Sequence, residues 1–173
     1  SIVYSVDDNF TTNFMTLLNR LPIFPLYYEG KTKFAPIHCS DLTDVIFNII
    51  SNNVNSKIIE CVGPEIISFK EILEKLLNLI GKKRLLIPMP LPIAQLSARF
   101  FEIMPKPILT RDQLKLLRYD NVLSGKYKSN SDLGVPSLRY FDEEVKKYCY
   151  MWKEGGQFST EKYASDNIDV KIN

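Results

Sequence analysis

Short runs of β-branched and aromatic residues alternate along this chain with longer segments whose apolar residues recur at helical spacing. The first run, Ile2-Val3-Tyr4, ends in an acidic turn, and the segment from Phe10 to Leu21 then repeats its apolar residues every three or four positions. Further strand signals lie at residues 23–28, 33–37, 57–62 and 85–88. Because strands and helices that alternate along a chain are typical of layered α/β folds, the sequence predicts an α/β protein.

Caps and turns place the remaining helices. Asp41 stands directly before an apolar face, so we predict a helix over residues 41–52 with Asp41 as its N-cap. Ser68 and Glu71 form a capping box for another helix, which Gly81 ends. Three more helices are predicted over residues 93–103, 110–118 and 137–150, the last with Leu138, Phe141, Val145 and Tyr148 on one side. We expect residues 1–150 to be part of one domain and residues 151–173 to form a polar, flexible tail.

Composition excludes several classes of function. The 173 residues are 45% hydrophobic, and the 22 basic and 20 acidic residues are interspersed, so no surface for nucleic acid is predicted. Cys39, Cys61 and Cys149 lie far apart, which indicates neither a disulfide framework nor a zinc ribbon and fits a reducing cytoplasm. With His38 as the only histidine, we predict no histidine-rich metal site.

The chain has no stretch that reads as a membrane span. Its first residues lack the basic start and long apolar region of a signal peptide. The most apolar stretch, Leu85–Met104, is interrupted by prolines and by Arg99 and Glu102. We expect a cytoplasmic protein, with contact to the cytoplasmic side of an inner membrane left open because the same stretch could form an apolar surface helix.

Tyr27 and Lys31 have the Tyr-x-x-x-Lys spacing of a catalytic dyad, in which a lysine one helical turn away lowers the pKa of a phenol. That mechanism needs a helix, and the prolines and Gly30 around this pair disfavour one. Glu29-Gly30-Lys31 between two apolar runs is instead typical of a hairpin turn. We therefore predict a strand end and a turn here, and no catalytic residue in this chain.

Four segments carry a family resemblance. They are Ser1-Ile-Val-Tyr4, Phe34-Ala-Pro-Ile-His-Cys-Ser-Asp41, Glu60-Cys-Val-Gly-Pro64 and the run LTRDQLKLLRYDNVLS at residues 109–124. In this order they resemble the C-terminal half of the atypical and extended short-chain dehydrogenase/reductases. The last run is similar to the branch that holds the nucleotide-binding accessory subunit of respiratory complex I and its bacterial relatives.

This resemblance implies the substrate-side part of a Rossmann-type NAD(P)-binding fold whose N-terminal, glycine-rich half is missing. The sequence contains no G-x-x-G-x-x-G to hold a pyrophosphate at a helix N-terminus. We therefore expect NAD or NADP to bind the full-length parent and not this fragment alone. The residues that the resemblance places nearest the cofactor are Ser1, Ile2 and Val3.

Substrate-pocket residues are also implied. His38 and Arg111 are the candidates, with the alternative for His38 that its ring is structural and hydrogen-bonded near the start of the following helix. Phe34 stands where sugar-nucleotide enzymes of the extended branch carry an arginine for the diphosphate, and an apolar ring cannot bind that anion.

Two functions compete, and a third possibility is that this half is simply a protein-interaction module. The resemblance favours a cofactor-bound structural or assembly role in the respiratory NADH:quinone oxidoreductase, with complex I subunits or the membrane surface as partners. The alternative is an NAD(P)-dependent oxidoreductase or epimerase that acts on a small substrate, in ubiquinone biosynthesis for example.

Overall fold

The strands of this chain are short and the helices that separate them are longer. The computed structural model describes residues 1–55, 58–90, 92–93 and 115–156. The β-strands are β1 (Val3–Tyr4), β2 (Ile23–Tyr27), β3 (Lys33–Phe34), β4 (Ile37–His38), β5 (Ile59–Glu60), β6 (Ile67–Ser68), β7 (Leu85–Met89) and β8 (Lys128–Ser129). The α-helices are α1 (Thr11–Arg20), α2 (Cys39–Ser51), α3 (Phe69–Leu79) and α4 (Phe141–Lys146), and 3-10 turns cover Tyr28–Gly30, Ser131–Leu133 and Cys149–Trp152.

Most strand pairs are parallel and join segments far apart in sequence. Parallel pairs form between β1 and β4, between β2 and β7, and between β5 and β8, whereas β3 and β6 are antiparallel. Parallel neighbours need a crossover connection, and α1, α2 and α3 lie within these connections. The predicted α/β class is confirmed, with strands close to the four predicted positions.

The core lies where α1 and α3 pack against the strands. Helix α3 buries a continuous apolar stripe, and α4 contributes Phe141 and Val145 from the other side. A chain of aromatic contacts runs through the centre, because the Phe14 ring lies 5.3 Å from that of Phe69 and 5.9 Å from that of Phe24. This core holds the short strands together, since few backbone hydrogen bonds join any one pair.

The predicted capping box at the start of α3 is confirmed. The Ser68 hydroxyl accepts a hydrogen bond from the Glu71 amide at 3.2 Å, and the Glu71 carboxylate accepts one from the Ser68 amide at 2.6 Å. Gly81 follows the helix with φ +68°, the left-handed conformation that glycine adopts most easily. Local sequence therefore sets both ends of this helix.

The prediction that Asp41 is the N-cap of α2 is wrong. The helix begins two residues earlier, at Cys39, and His38 is its N-cap. Asp41 lies in the first turn, where its buried carboxylate accepts hydrogen bonds from the backbone amide and the guanidinium of Arg139. A partner almost a hundred residues away decided this role, and the local pattern could not show it.

The predicted hairpin between β2 and β3 is also wrong, although the turn is present. Tyr28, Glu29 and Gly30 all have positive φ, so three successive left-handed residues redirect the chain instead of folding it back on β2. As a result, β2 pairs with β7 and β3 pairs with β6.

The predicted helix at residues 137–150 is shorter than expected. Ser137 donates to the carbonyl of Val62 at 2.7 Å, and Glu65 accepts from the Phe141 amide at 3.0 Å, so the chain stays extended up to the start of α4. Leu138, predicted on the buried face, is 73% exposed. Most of the predicted helices at 93–103 and 110–118, and most of the tail at 151–173, lie outside the described residues.

Gly63 is required by a close approach of two backbone segments. Its amide donates to the carbonyl of Ala35 at 3.0 Å, and a Cβ at this position would lie 1.7 Å from the carbonyl oxygen of Pro36. We expect Gly63→Ala to lower the free energy of unfolding by about 3 kcal/mol or more, because the two backbones must separate. Urea denaturation measures this loss as a fall in the midpoint.

Gly125→Ala is the matched control, because a Cβ at Gly125 meets no atom within 4 Å. The backbone there has a φ of +72°, which is the only source of strain for alanine. This variant should lose only about 1 kcal/mol from the left-handed conformation. Equal losses in the two variants would contradict a steric role for Gly63.

The ion pair of Asp41 with Arg139 gives a second test. We expect Asp41→Ala to lower the free energy of unfolding by about 2 kcal/mol, because the Arg139 amide and guanidinium lose a buried, charged acceptor. Asp44 also contacts Arg139, at 3.3 Å, but its side chain is 60% exposed. Asp44→Ala should therefore lower the free energy of unfolding by less than about 1 kcal/mol. If thermal or urea denaturation shows a larger loss for Asp44→Ala than for Asp41→Ala, Asp41 is not the main partner of Arg139.

Candidate functional site

A cavity of about 390 Å³ lies between α1, β3 and the loop at residues 116–121. Its apolar lining residues are Ile2, Phe10, Phe14, Leu17, Phe34, Leu116 and Leu117, and its polar ones are Asn9, Asn13, Tyr119, Asp120 and Asn121. Aromatic and aliphatic walls with a few polar groups at the rim are typical of small-molecule pockets. This cavity is therefore the candidate functional site.

The apolar wall follows from the spacing of residues on α1. Phe10, Phe14 and Leu17 recur at intervals of four and three, which places them on one face of the helix. Phe34 faces them from β3, with its ring 6.3 Å from that of Phe10, and it is almost fully buried. The wall is thus a continuation of the core that stays open on the side of residues 116–121.

The polar rim is held in place by β3. The Asp120 carboxylate accepts from the Lys33 amide at 2.8 Å, and the Asn121 amide donates to the Lys33 carbonyl at 2.7 Å. The hydroxyl of Thr32 donates to the carbonyl of Leu117. These bonds attach the loop to the strand that carries Phe34, so the rim and the wall form one unit.

Two of the three residues predicted near a cofactor lie at this site. Ile2 lines the cavity. The Ser1 hydroxyl donates to the Asn121 carbonyl at 2.8 Å and accepts from the Ala35 amide at 3.0 Å, so Ser1 supports the rim. Val3 does not line the cavity and is 43% exposed on β1.

His38 is placed by the start of α2. Its Nδ1 accepts from the Ser40 amide at 3.3 Å, its ring lies edge-on to Tyr4 at 5.3 Å, and its Nε2 lies 3.9 Å from a carboxylate oxygen of Glu144. Burial lowers the pKa of His38 below its usual value. The predicted structural hydrogen bond near the helix start is confirmed, and His38 is not among the residues that line the cavity. Arg111, the other predicted pocket residue, lies outside the described residues.

Tyr27 and Lys31 do not share a helical face. Tyr27 is buried at the end of β2, whereas Lys31 follows the turn, is largely exposed and forms an ion pair with Glu29. The prediction of a strand end and a turn is confirmed. The geometry needed for a lysine to lower the pKa of a phenol is not present at this pair.

From the sequence we did not predict that α1 forms one side of the site. Its apolar residues were interpreted as core, which is the usual meaning of such a stripe. The one local signal was Asn9 and Asn13, four residues apart beside Phe10 and Phe14, because exposed amides next to an aromatic stripe mark a polar edge.

Other features limit the chemistry of the described part. Burial raises the pKa of Tyr4 and of Tyr148 above the usual value, so both phenols stay protonated near neutral pH. In residues 1–55, 58–90, 92–93 and 115–156 no group of three or more His, Cys, Asp or Glu side chains is arranged to hold a metal ion. No helix of the described part combines the length and the apolar composition needed to cross a membrane.

Comparison with known proteins supports the predicted relationship. The chain is 25% identical over 161 residues to NADH dehydrogenase (ubiquinone) 1 alpha subcomplex subunit 9, mitochondrial, of Arabidopsis thaliana, and the match covers 87% of this chain and 40% of that protein. No family model matches the chain. The predicted relationship to the complex I subunit is thereby confirmed.

The fold comparison gives a second match. The GDP-mannoheptose C4 reductase from Campylobacter jejuni, solved with NADP bound, superposes with a TM-score of 0.54 at 16% sequence identity, over 87% of this chain and 46% of that chain. The predicted Rossmann-type α/β fold is confirmed. In both comparisons the chain spans less than half the length of the protein that it matches.

The cap formed by His38 predicts a pH dependence of stability. Nδ1 can accept the Ser40 amide only when the imidazole is neutral, because both ring nitrogens of the protonated form are donors. The pKa is lowered in the folded state, so the unfolded chain binds the proton first. We expect this contribution to be complete above a pH of about 6.5, the usual pKa of histidine, and to be lost as the pH falls towards the lowered pKa.

His38→Asn is the control, since asparagine keeps an acceptor at the cap and does not titrate. The free energy of unfolding should be measured by urea denaturation for both chains as the pH is lowered from neutral. The free energy of unfolding of the natural chain should fall relative to that of the variant as the pH falls, while the carboxylates other than Glu144, which faces His38, contribute equally to both. A difference that stays constant over this range would show that His38 does not titrate in this way.

Proposed function

We propose that this chain is the substrate-side part of an NAD(P)-binding Rossmann-type protein that keeps its cofactor for a structural or assembly role in the respiratory NADH:quinone oxidoreductase. The relationship to the complex I subunit supports the assignment to that complex. NADP is bound in the structurally similar reductase, which supports a dinucleotide as the cofactor. Complex I subunits are the proposed partners, at the cytoplasmic face of an inner membrane.

The residues of this chain fit one end of a dinucleotide. Ile2 offers an apolar side chain to a flat ring at the cavity wall, and Ser1 braces the backbone beside it. Val3 is exposed on β1 and could contact the same ligand from outside the cavity. The glycine-rich loop for the pyrophosphate is not part of this sequence, so the phosphates must be held by other residues of the parent protein.

The observation that carries the structural role is the lining of the cavity. Among the described lining residues only Tyr119 and Asp120 can ionise. The Asp120 carboxylate is bonded to the Lys33 amide, and the Tyr119 ring is 67% exposed beneath the guanidinium of Arg118. Proton transfer to a substrate needs a positioned acid or base, and the described walls present aromatic rings and amides instead. This favours retention of a cofactor over turnover.

A second function is favoured by the size and polarity of the same cavity. About 390 Å³ next to Ile2 is enough for a small, uncharged ring-bearing substrate of an NAD(P)-dependent oxidoreductase, and ubiquinone biosynthesis offers substrates of this kind. Phe34 is buried against Phe69 at 6.4 Å, so it cannot bind a diphosphate and does not favour a nucleotide-sugar epimerase. In this alternative Arg111 remains a proposed pocket residue, whereas His38 lies outside the cavity, and the catalytic residues would lie elsewhere in the parent.

The test compares the 173-residue chain with a longer protein that contains it. We expect the longer protein to be purified with a bound dinucleotide, detected by mass spectrometry, and to bind NADPH in calorimetry, whereas the chain alone binds none. We also expect no NADPH oxidation with small carbonyl or quinone substrates, together with copurification with respiratory membranes. Substrate-dependent oxidation would refute the structural role and support the oxidoreductase.

A pair of variants tests the predicted position of the cofactor. In the longer protein Ile2→Asp should weaken NADPH binding by about tenfold or more, because a carboxylate would be buried against the ring without a partner. Ile58→Asp is the control, since Ile58 is 51% exposed and does not line the cavity. Equal NADPH affinity of the two variants, both folded by circular dichroism, would place the cofactor elsewhere.

A further inference from the structure

One face of the two-stranded ribbon of β2 and β7 is apolar and exposed near the strand starts, whereas Tyr27 and Met89 at the other end pack with Leu117. In its register Ile23 lies beside Leu85 and Pro25 beside Ile87, and these four residues form what we call the ribbon patch. Ile23, Leu85 and Ile87 are 51%, 58% and 41% exposed. Grouped apolar side chains on a surface indicate a contact with another molecule or a membrane.

The outward residues are not needed for the core. Phe24 and Leu26 alternate with them on β2 and are buried on the opposite face of the ribbon. Leu86 of β7 packs against the same core from its own strand. The ribbon therefore has two apolar faces, of which one is buried by the fold and the other is exposed at its Ile23 and Leu85 end.

A cluster of cations lies at the beginning of the ribbon. Because the two strands are parallel, the residues that precede them meet at the same end: Arg20 before β2, and Lys82, Lys83 and Arg84 before β7. Arg84 connects the two sides, since its guanidinium donates to the carbonyl of Leu18 at 2.8 Å. The cations thus lie next to the Ile23 and Leu85 pair, the most exposed part of the ribbon patch.

No acidic residue interrupts this surface along either segment. Residues 9–28 and residues 75–93 contain no Asp or Glu. The first acid after β2 is Glu29, at the far end of the strand, where it is paired with Lys31. No ion pair with another described residue is present at Arg20, Lys82 or Lys83.

We propose that the ribbon patch docks on an anionic lipid surface, with Ile23, Leu85 and Ile87 at the acyl boundary and Arg20, Lys82 and Lys83 against the headgroups. Such a surface supplies apolar contact and negative charge side by side, which is what this combination requires. Self-association through the patch is disfavoured, because a second copy would bring the same cations and no carboxylate from these segments. The inference rests on the ribbon and its cations and does not depend on cofactor binding.

Vesicle flotation tests the proposal. The purified chain should float with vesicles of equal parts phosphatidylcholine and phosphatidylglycerol, and much less with phosphatidylcholine alone. The double variant Arg20→Gln/Lys83→Gln should bind the anionic vesicles about twenty-five-fold more weakly, at about fivefold per cation. Ile23→Thr/Leu85→Thr replaces two apolar side chains with threonine, a β-branched residue that is compatible with a strand. This variant should also bind the anionic vesicles more weakly.

Matched control variants separate the ribbon patch from general effects. Lys126→Gln/Lys128→Gln removes two exposed cations elsewhere, and Phe47→Thr/Ile50→Thr removes two apolar side chains that are 71% and 70% exposed on α2. Both controls should bind like the natural chain. The charge variants change only exposed side chains, so they remain informative even if a ribbon substitution unfolds the protein, as circular dichroism would show.

Three results would overturn the proposal. The first is no flotation of the natural chain with anionic vesicles, and the second is equal loss of binding in the controls and in the ribbon variants. The third is a dimer, detected by light scattering, that Arg20→Gln/Lys83→Gln and Ile23→Thr/Leu85→Thr both abolish while vesicle binding stays unchanged. The patch would then bind a second copy of the chain.

Discussion

Backbone groups of residues 32–37 hold together segments that are far apart in the sequence. Within this stretch β3 pairs with β6, the Ala35 carbonyl accepts from Gly63, and the Ile37 amide donates to the carbonyl of Ile2 at 2.8 Å. The loop at residues 117–121 is attached to the same stretch through Thr32, Lys33 and Ala35. This one extended stretch therefore connects β1, β6, the turn at Gly63 and the loop through hydrogen bonds.

The candidate site inherits its form from that stretch. Phe34 alternates with residues whose backbone anchors the rim, so one short strand provides the apolar wall and fixes the polar edge opposite α1. Ile2 reaches the cavity because β1 pairs in parallel with β4, directly after this strand. The site is thus an extension of the core with one open side. This form is compatible with the proposal that the pocket receives one end of a ligand held mainly by another part of the protein.

Two surfaces of the described part are apolar without being covered, and they differ in their surroundings. The exposed face of α2 carries Phe47 and Ile50 beside neutral and acidic side chains, whereas the ribbon patch is bordered by cations. Anionic lipid can distinguish the two, because only the ribbon patch has neighbouring cations, whereas the acids of α2 are paired with Arg139. A location at a membrane face would be compatible with an assembly role in a respiratory complex, and both remain proposals.

The sequence by itself determined the features that depend on neighbours within a turn or two. The helical period of α1, the capping box of Ser68 and Glu71, and the turn glycine at position 81 were all visible locally, as was the resemblance that indicated the fold. Only the tertiary structure decided the partner of each strand, the role of Asp41 and the opening beside Phe34. The physical reason is that these features depend on contacts across long sequence separations. The local sequence predicts that Asp41 is a cap, and only the fold shows that Arg139 is its partner. The local sequence likewise predicts that the aromatic stripe of α1 is core, and only the packing shows that one side of it is open.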